Sequence, residues 1–410
     1  MGFFTFGPMF RKKVKNQSSG SLSRLAWQNF KKNIQGMAAL CVIGLALLIG
    51  LFAYVIIPDP SPDANRQNLE LATQKPGFQV KMLKVRKNEQ LAKEGWLHEL
   101  FSGRKDRFLY VPVSNYHFEK GKIVVKIFDE DNSGLTKSFS LANVVFPVSG
   151  KQAVIGNTIE YTTLNGKKHH ISIAKLKSII LHNNLVTKKF WLGTDQFGRD
   201  LLSRLLLGTR ISLSVGFISV AISLIVGILL GSMAGFYRGK VDELIMWFIN
   251  VVWSLPTLLL VIAITFALGK GFWQIFVAVG LTMWVEVARV VRGQMMSVRE
   301  KEYVEAGFAL GYSNFRIMLR HILPNILSPV IVISAANFAA AILIEAGLSF
   351  LGIGVQPPVP SWGNMIKAYY SYIVLNSAYL AIIPGVAIVI LVLAFMTLGN
   401  SLRDALDVRI

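Results

Sequence analysis

Residues 302 to 326, EYVEAGFALGYSNFRIMLRHILPNI, gather two acids, two arginines and a histidine between long apolar runs. Val304 and Phe308 fall four apart on one helical face, Gly311 interrupts, and Ser313 is placed to cap a second short helix carrying Phe315, Met318, Leu319 and Ile322. Arg316 and Arg320 fall on its other face, and Pro324 closes the pair. Helices this short are marginal in water, so the apolar face needs a partner, either the chain's own bundle or another protein. The chemistry on offer is contact and not bond making.

Other groupings with catalytic or ligating potential are thin. A P-loop needs G-x-x-x-x-G-K-[ST] so that backbone amides cradle phosphate; the nearest stretch, MAGFYRGKVD, lacks the first Gly and the hydroxyl. The spans hold no His/Asp/Glu grouping at metal spacing and no G-x-S-x-G elbow. Cys41 is the sole cysteine, which excludes an intrachain disulfide and a cysteine-based metal cluster. DEDNSG (129 to 134) resembles the start of a calcium loop, but its twelfth position is Ser140 and not a bidentate Glu, so it reads as an acidic turn. His169-His170 would point to opposite faces of a strand and read as surface histidines. No cofactor is expected.

Acids at membrane depth are pathway candidates by default, and Glu286 and Glu345 are the clearest. Each has a structural alternative: Glu345 pairs with Arg199 or Arg210, the preferred reading, and Glu286 pairs with Arg289 or Arg292. Pro256 removes a backbone donor from its span, for gating or for packing. Gly227, Gly231 and Gly235 repeat every four residues and predict a close helix contact.

The elements that position these groups are membrane helices. Of the 410 residues 53% are hydrophobic and only 16% charged, the balance of a bilayer protein. The net charge of +20 fits lysines and arginines gathered on cytoplasmic loops; with no basic-aromatic module, nucleic acid is not an expected partner, whereas the lipid bilayer is. Six segments reach the roughly 20 apolar residues of a spanning helix: 37 to 57, 211 to 236, 244 to 268, 272 to 292, 326 to 350 and 378 to 399. The first reads as an uncleaved anchor. The basic flanks before span 1, after span 2 and from Arg289 to Arg320 predict both termini and the 302 to 324 segment in the cytoplasm, although Arg199, Arg204 and Arg210 oppose this.

Residues 1 to 36 form a cytoplasmic N-terminal segment in which Leu22, Leu25, Ala26 and Phe30 predict a helix lying in the interface. Residues 58 to 189 lack a span and would lie outside. Their alternating runs GKIVVKIF and KSFSLANVVF, and the Asn165-Gly166 dipeptide suited to a type I′ hairpin, predict a small β-rich domain. The expected fold is thus an all-α polytopic membrane protein of six helices, with a β-rich extracytoplasmic insert between helices 1 and 2 and a core of helices 2 to 6 over 190 to 410.

The chain resembles the inner-membrane permease subunits of binding-protein-dependent ATP-binding-cassette importers, in the dipeptide and oligopeptide branch. The family's EAA…G…LP signature reads here as Glu305-Ala306-Gly307, Gly311 and Leu323-Pro324, with Gly307 in place of the second Ala. Further matching stretches are WLGTDQFGRDLLSRLLLGTRISL, SLPTLLL, EAGLSFLGIGVQPPVPSWGNM and LGNSLRDALDVR; Asp407-Val408-Arg409 departs from the more usual DPR. The resemblance implies a type I importer permease fold. It also implies that Glu305, Ala306, Gly307, Gly311, Arg316, Arg320, Leu323 and Pro324 couple to an ATPase. Its expected partners are a second permease as a heterodimer, two cytoplasmic ATPase subunits and an extracytoplasmic solute-binding protein. The permease itself would not be an enzyme. The competing readings are an ion-coupled secondary transporter or channel, which leaves the EAA-type segment without a role, and a membrane-embedded enzyme, which lacks a catalytic cluster.

Overall fold

The computed structural model describes residues 22–90, 95–129, 134–269 and 271–406. The expected acidic turn (129 to 134) and Asp407-Val408-Arg409 fall largely or wholly outside them. Helix α1 (Leu22–Lys32) buries Ala26 and Phe30 while Trp27, Lys31 and Lys32 face out. Asn33 then starts α2 (Ile34–Leu51), its side chain accepting the Gly36 amide at 2.9 Å. The first apolar run does not stay one helix to residue 57: it breaks at Phe52 and resumes as α3 (Ala53–Ile56).

The region after α3 is β-rich. Strand β1 (Phe78–Arg86) is followed by α4 (Trp96–Ser102), β2 (Phe108–Glu119), β3 (Lys122–Ile127), β4 (Thr136–Ser140) and α5 (Leu141–Val145). Then come β5 (Val148–Ile155), β6 (Thr158–Thr163), β7 (Lys168–Ser172), α6 (Ile173–Ile179) and β8 (Leu185–Phe190). One antiparallel sheet has the order β4-β3-β2-β1-β8 and the other β5-β6-β7. Alternation places Leu83, Val85, Val111, Val113, Ile123 and Val125 on one face, where they meet Leu141, Ile159, Leu176 and Ile180 in a shared core. Two expectations change in detail. LANVV is helix α5 and not a strand, because Leu141, Ala142 and Val144 all bury at helical spacing. The β6–β7 hairpin is not type I′: Asn165 keeps a negative φ, Gly166 alone adopts φ 76°, and the Gly166 amide donates to the Thr163 carbonyl, the geometry of a three-residue loop.

Helix α7 (Leu201–Tyr237) is capped by Asp200, whose carboxylate accepts the Ser203 amide at 2.7 Å. Then follow α8 (Gly239–Trp253), α9 (Thr257–Leu268), α10 (Phe272–Arg299), α11 (Glu302–Ala309), α12 (Asn314–Arg316), α13 (Leu327–Leu351), α14 (Trp362–Tyr369) and α15 (Tyr379–Leu406). Among the described residues five helices are long and apolar enough to cross a membrane, or six if the bent pair α8 and α9 counts as one span. The protein is a polytopic membrane protein. The predicted third span is not one straight helix: its halves meet at 96°, with Pro256 extended (ψ 121°) at the corner.

The bundle is held by close contacts. A Cβ on Gly227, Gly231 or Gly235 of α7 would come within 2.6, 2.5 and 2.7 Å of Val287, Ala288 and Arg292 on α10, so these glycines let the two backbones touch. Phe338 of α13 stacks on Phe395 of α15 at 3.8 Å in a core that also takes Ala39 and Ile43 from α2 and Leu213 from α7.

Candidate functional site

The charged segment is two short helices hung beneath α10 and α13. Helix α11 ends in a Schellman motif: Gly311 adopts φ 76°, its amide donates to the Phe308 carbonyl at 2.9 Å, and the Tyr312 amide donates to the Gly307 carbonyl at 3.1 Å. Ser313 caps the next helix by accepting the Arg316 amide. From Ile317 to Ile322 the backbone winds as a π-helix, so residues five apart, Ile317 and Ile322, share a buried face. That face and Val304 pack on Phe236, Val291 and Met295, which fixes the segment to its own bundle.

The predicted apolar face therefore divides. Met318 and Ile322 point inward, whereas Phe315 and Leu319 are 65% and 43% exposed and lie with Tyr303, Phe308 and Leu310 on the outer side. Glu305, Ala306, Arg316, Arg320 and Pro324 are also exposed, Gly307 is buried, and Leu323 is half-buried. The Arg316 guanidinium lies 4.2 Å over the Tyr312 ring, which stacks on His321. The result is a projection packed on its own bundle that exposes both apolar and charged side chains.

Neither acid at membrane depth has its expected partner. Glu286 is exposed and lines a cavity of about 210 Å³ with Trp253, Leu255, Thr257, Thr282 and Ile344, so it opens onto the corner that Pro256 makes. Arg289 instead stacks 3.6 Å over Trp253 and donates to Asn250, and Arg292 pairs with Asp242 at 2.6 Å. Glu345 is wholly buried; one carboxylate oxygen accepts from the Ser349 hydroxyl at 2.6 Å and the other has no hydrogen-bond partner. The preferred arginines are elsewhere: Arg199 binds Asp195 and Arg210 binds backbone carbonyls. The structure thus joins Glu286 to the Pro256 corner and leaves Glu345 apart.

Sequence reasoning missed a buried polar joint where the β-rich region meets the bundle. Asp195 accepts the Phe197 and Arg199 amides, the Arg199 guanidinium at 2.7 Å and the Tyr369 hydroxyl at 2.8 Å. Burial, with Asp195 next in weight, holds the Tyr369 phenol well above its ordinary range. Burial likewise pushes the Asp200 carboxyl up, against the opposing pull of Lys188, and pushes the Lys188 ammonium down. Asp59 accepts the Ser61 and Arg66 amides, and Arg66 also pairs with Asp106. Gly193 and Gly198, at φ 81° and 67°, pass so near the Gln74 and Asn68 carbonyls that a Cβ would sit 2.2 and 1.7 Å away. The available signal was the clustering of Asp and Arg with two glycines in WLGTDQFGRD.

This architecture of bundle, projecting segment and buried polar joint can be set beside known proteins. The family described as binding-protein-dependent transport system inner membrane component matches residues 227–410, and the N-terminal TM domain of oligopeptide transport permease C matches residues 21–76. The glutathione transport system permease protein GsiD of Pectobacterium atrosepticum is 41% identical over 220 residues, 54% of this chain and 73% of that protein. The chain belongs to this family of transport permeases. The di/tripeptide transport system permease protein DppC of Pseudomonas aeruginosa is 42% identical over 222 residues, covering 54% and 73%. The oligopeptide transport system permease protein OppC of Bacillus subtilis is 36% identical over 230 residues, covering 55% and 73%. As a permease of a binding-protein-dependent importer, the chain is a multi-pass inner-membrane protein that forms the pathway and works with a solute-binding protein, while ATP hydrolysis resides in separate subunits. Membership favours this reading over an ion-coupled transporter or channel.

Proposed function

We propose that this permease carries a peptide or a related small solute, through a pathway formed as a heterodimer with a second permease and driven by two cytoplasmic ATPases. Both termini lie in the cytoplasm, and six helices cross the membrane, the bent α8 and α9 pair counting as one. Segment 302–324 seats in a cleft of an ATPase, which moves it as the nucleotide sites close. The bundle then rocks between access states. The 58–189 region lies outside as an inserted module that receives the solute-binding protein. Glu286 at the Pro256 corner borders the pathway, and Glu345 braces α13.

The observation that carries the coupling assignment is the division of the 302–324 segment: its inward face is satisfied by its own bundle, yet Tyr303, Phe308, Leu310, Phe315 and Leu319 stay exposed around Glu305. Exposed apolar side chains on a segment packed against its own bundle are what a docking partner requires. The peptide-transport names of the relatives support the solute class. In the assembled complex, Glu305→Lys is expected to lower ATPase co-purification and substrate-stimulated ATP hydrolysis while membrane insertion persists. Wild-type values for both would overturn the coupling role.

A further inference from the structure

Helix α4 turns its apolar side chains outward. Trp96, Leu97 and Phe101 are 74%, 53% and 57% exposed, and the helix packs beside α3, at the end of the first span. There Phe52, Val55 and Ile56 are also exposed, at 42%, 70% and 54%, so the two sets make one apolar surface continuous with α2. A cleft of about 590 Å³ runs between them, lined by Phe52, Val55, Ile57, Trp96 and Leu100.

A second observation concerns how the backbone ends are satisfied. The last carbonyls of a helix lack partners within it, and at an aqueous surface water supplies them. Here one side chain of α7 does so for two helices at once. Arg210 donates to the Gly50 and Leu51 carbonyls at 2.8 and 3.1 Å and to the Leu100 and Phe101 carbonyls at 3.1 and 2.9 Å. Arg210 is the tenth residue of α7, and at 1.5 Å per residue that sets it roughly 13 Å along the helix. Protein donors of this kind are needed where lipid, not water, surrounds the backbone. Tryptophan at one end of α4 and the Glu99–Arg104 pair (2.6 Å) near the other suit the headgroup layer, where aromatic rings and charged groups mix.

We infer that α4 is a membrane-surface anchor: it lies in the headgroup layer with Trp96, Leu97 and Phe101 among the upper acyl chains, and so fastens the β-rich region to the bilayer beside α2. The inference rests on α2 spanning the membrane and not on which side α4 lies. The occupant of the patch is phospholipid because the patch is the lateral extension of a lipid-facing span.

The test uses the assembled transporter in nanodiscs, on a cysteine-free background that includes Cys41→Ala. Single cysteines at W96C, L97C and F101C, with K137C on the exposed strand β4 as reference, carry an environment-sensitive fluorophore. Shallow doxyl-labelled phospholipid should quench the three α4 positions severalfold more than K137C, with blue-shifted emission, and aqueous iodide should show the opposite order. Iodide quenching at α4 equal to that at K137C would overturn the anchor. Shielding from both quenchers would overturn it too, since a protein partner would then cover the patch. Three separate positions keep the result decidable if one variant fails to assemble.

Discussion

Gly307 and Gly311 stand four residues apart and have different constraints. Gly311 holds φ 76° with open space around its missing Cβ, so its requirement is conformational and not steric. A β-branched residue there costs on the order of 1–2 kcal/mol in backbone strain, and Gly311→Val should distort the Schellman turn after α11 and lower substrate-stimulated ATP hydrolysis. Gly307 has helical backbone, and a Cβ would meet Ile317 and Tyr312 at an ordinary 3.7 Å. Gly307→Ala should therefore leave coupling intact and stabilise α11 by about 1 kcal/mol. The packing around Gly307 does not demand glycine. If the two variants behave alike in the ATPase assay, this distinction fails. Tyr369 makes a further case at the buried polar joint. Tyr369→Phe withdraws a donor from buried Asp195 and should cost about 1–3 kcal/mol, read as a lower Tm of the purified permease. Because folding raises the Tyr369 pKa, its contribution is complete below the ordinary tyrosine value of about 10 and is lost only as pH climbs through the raised one. The Tm difference between wild type and Tyr369→Phe should thus stay flat from pH 6 to about 9.

At the scale of elements, helix contacts were legible where small residues recur at a fixed spacing and obscure where a backbone turns. The Gly227, Gly231, Gly235 row announced the α7–α10 contact because no other residue lets two helices approach so closely. Gly231→Leu should push its side chain into the Ala288 carbonyl, 2.5 Å from the Cβ position, and abolish assembled permease on size-exclusion chromatography. Gly293→Ala, on α10 with nothing within 4 Å, is expected to assemble normally. Equal behaviour of the two would remove the packing argument. The 96° corner between α8 and α9 was not legible, since hydropathy is blind to direction and Pro256 signals a lost donor without an angle. Helix α5 was misread as a strand because a run this short, four apolar residues around Asn143, fits either period. The ion pairs of Glu286 and Glu345 were misassigned for a related reason: sequence separation and charge do not reveal that Asp195, Asp242 and backbone carbonyls claim the same arginines.

For the whole molecule, the decisive fact is that the β-rich region leaves and returns at one place. Phe78 and Phe190 are partners in the β1–β8 ladder, so the chain ends of residues 79–189 lie side by side, as they must in a module that can be added without disturbing its host. The polar joint with Asp59, Gln74, Thr194 and Asp195 lies outside that interval and would remain. Arg66 would lose Asp106 but keep Asp59 at 3.3 Å, and Asp200 would lose the opposing charge of Lys188. Replacing residues 79–189 by a short Gly-Ser linker is therefore expected to give a chain that inserts and assembles with its partners. The same region exposes Lys81, Lys120, Lys122, Lys137, Lys167 and Lys175. An acidic face on a solute-binding protein would be drawn to such a surface, and the attraction should weaken as salt shortens the Debye length from about 10 Å at 0.1 M. The shortened complex should then keep its basal ATP hydrolysis and lose much of the stimulation by binding protein, most visibly at low ionic strength. Full stimulation of an assembled, shortened complex at every salt concentration would show that the region takes no part in receiving the binding protein.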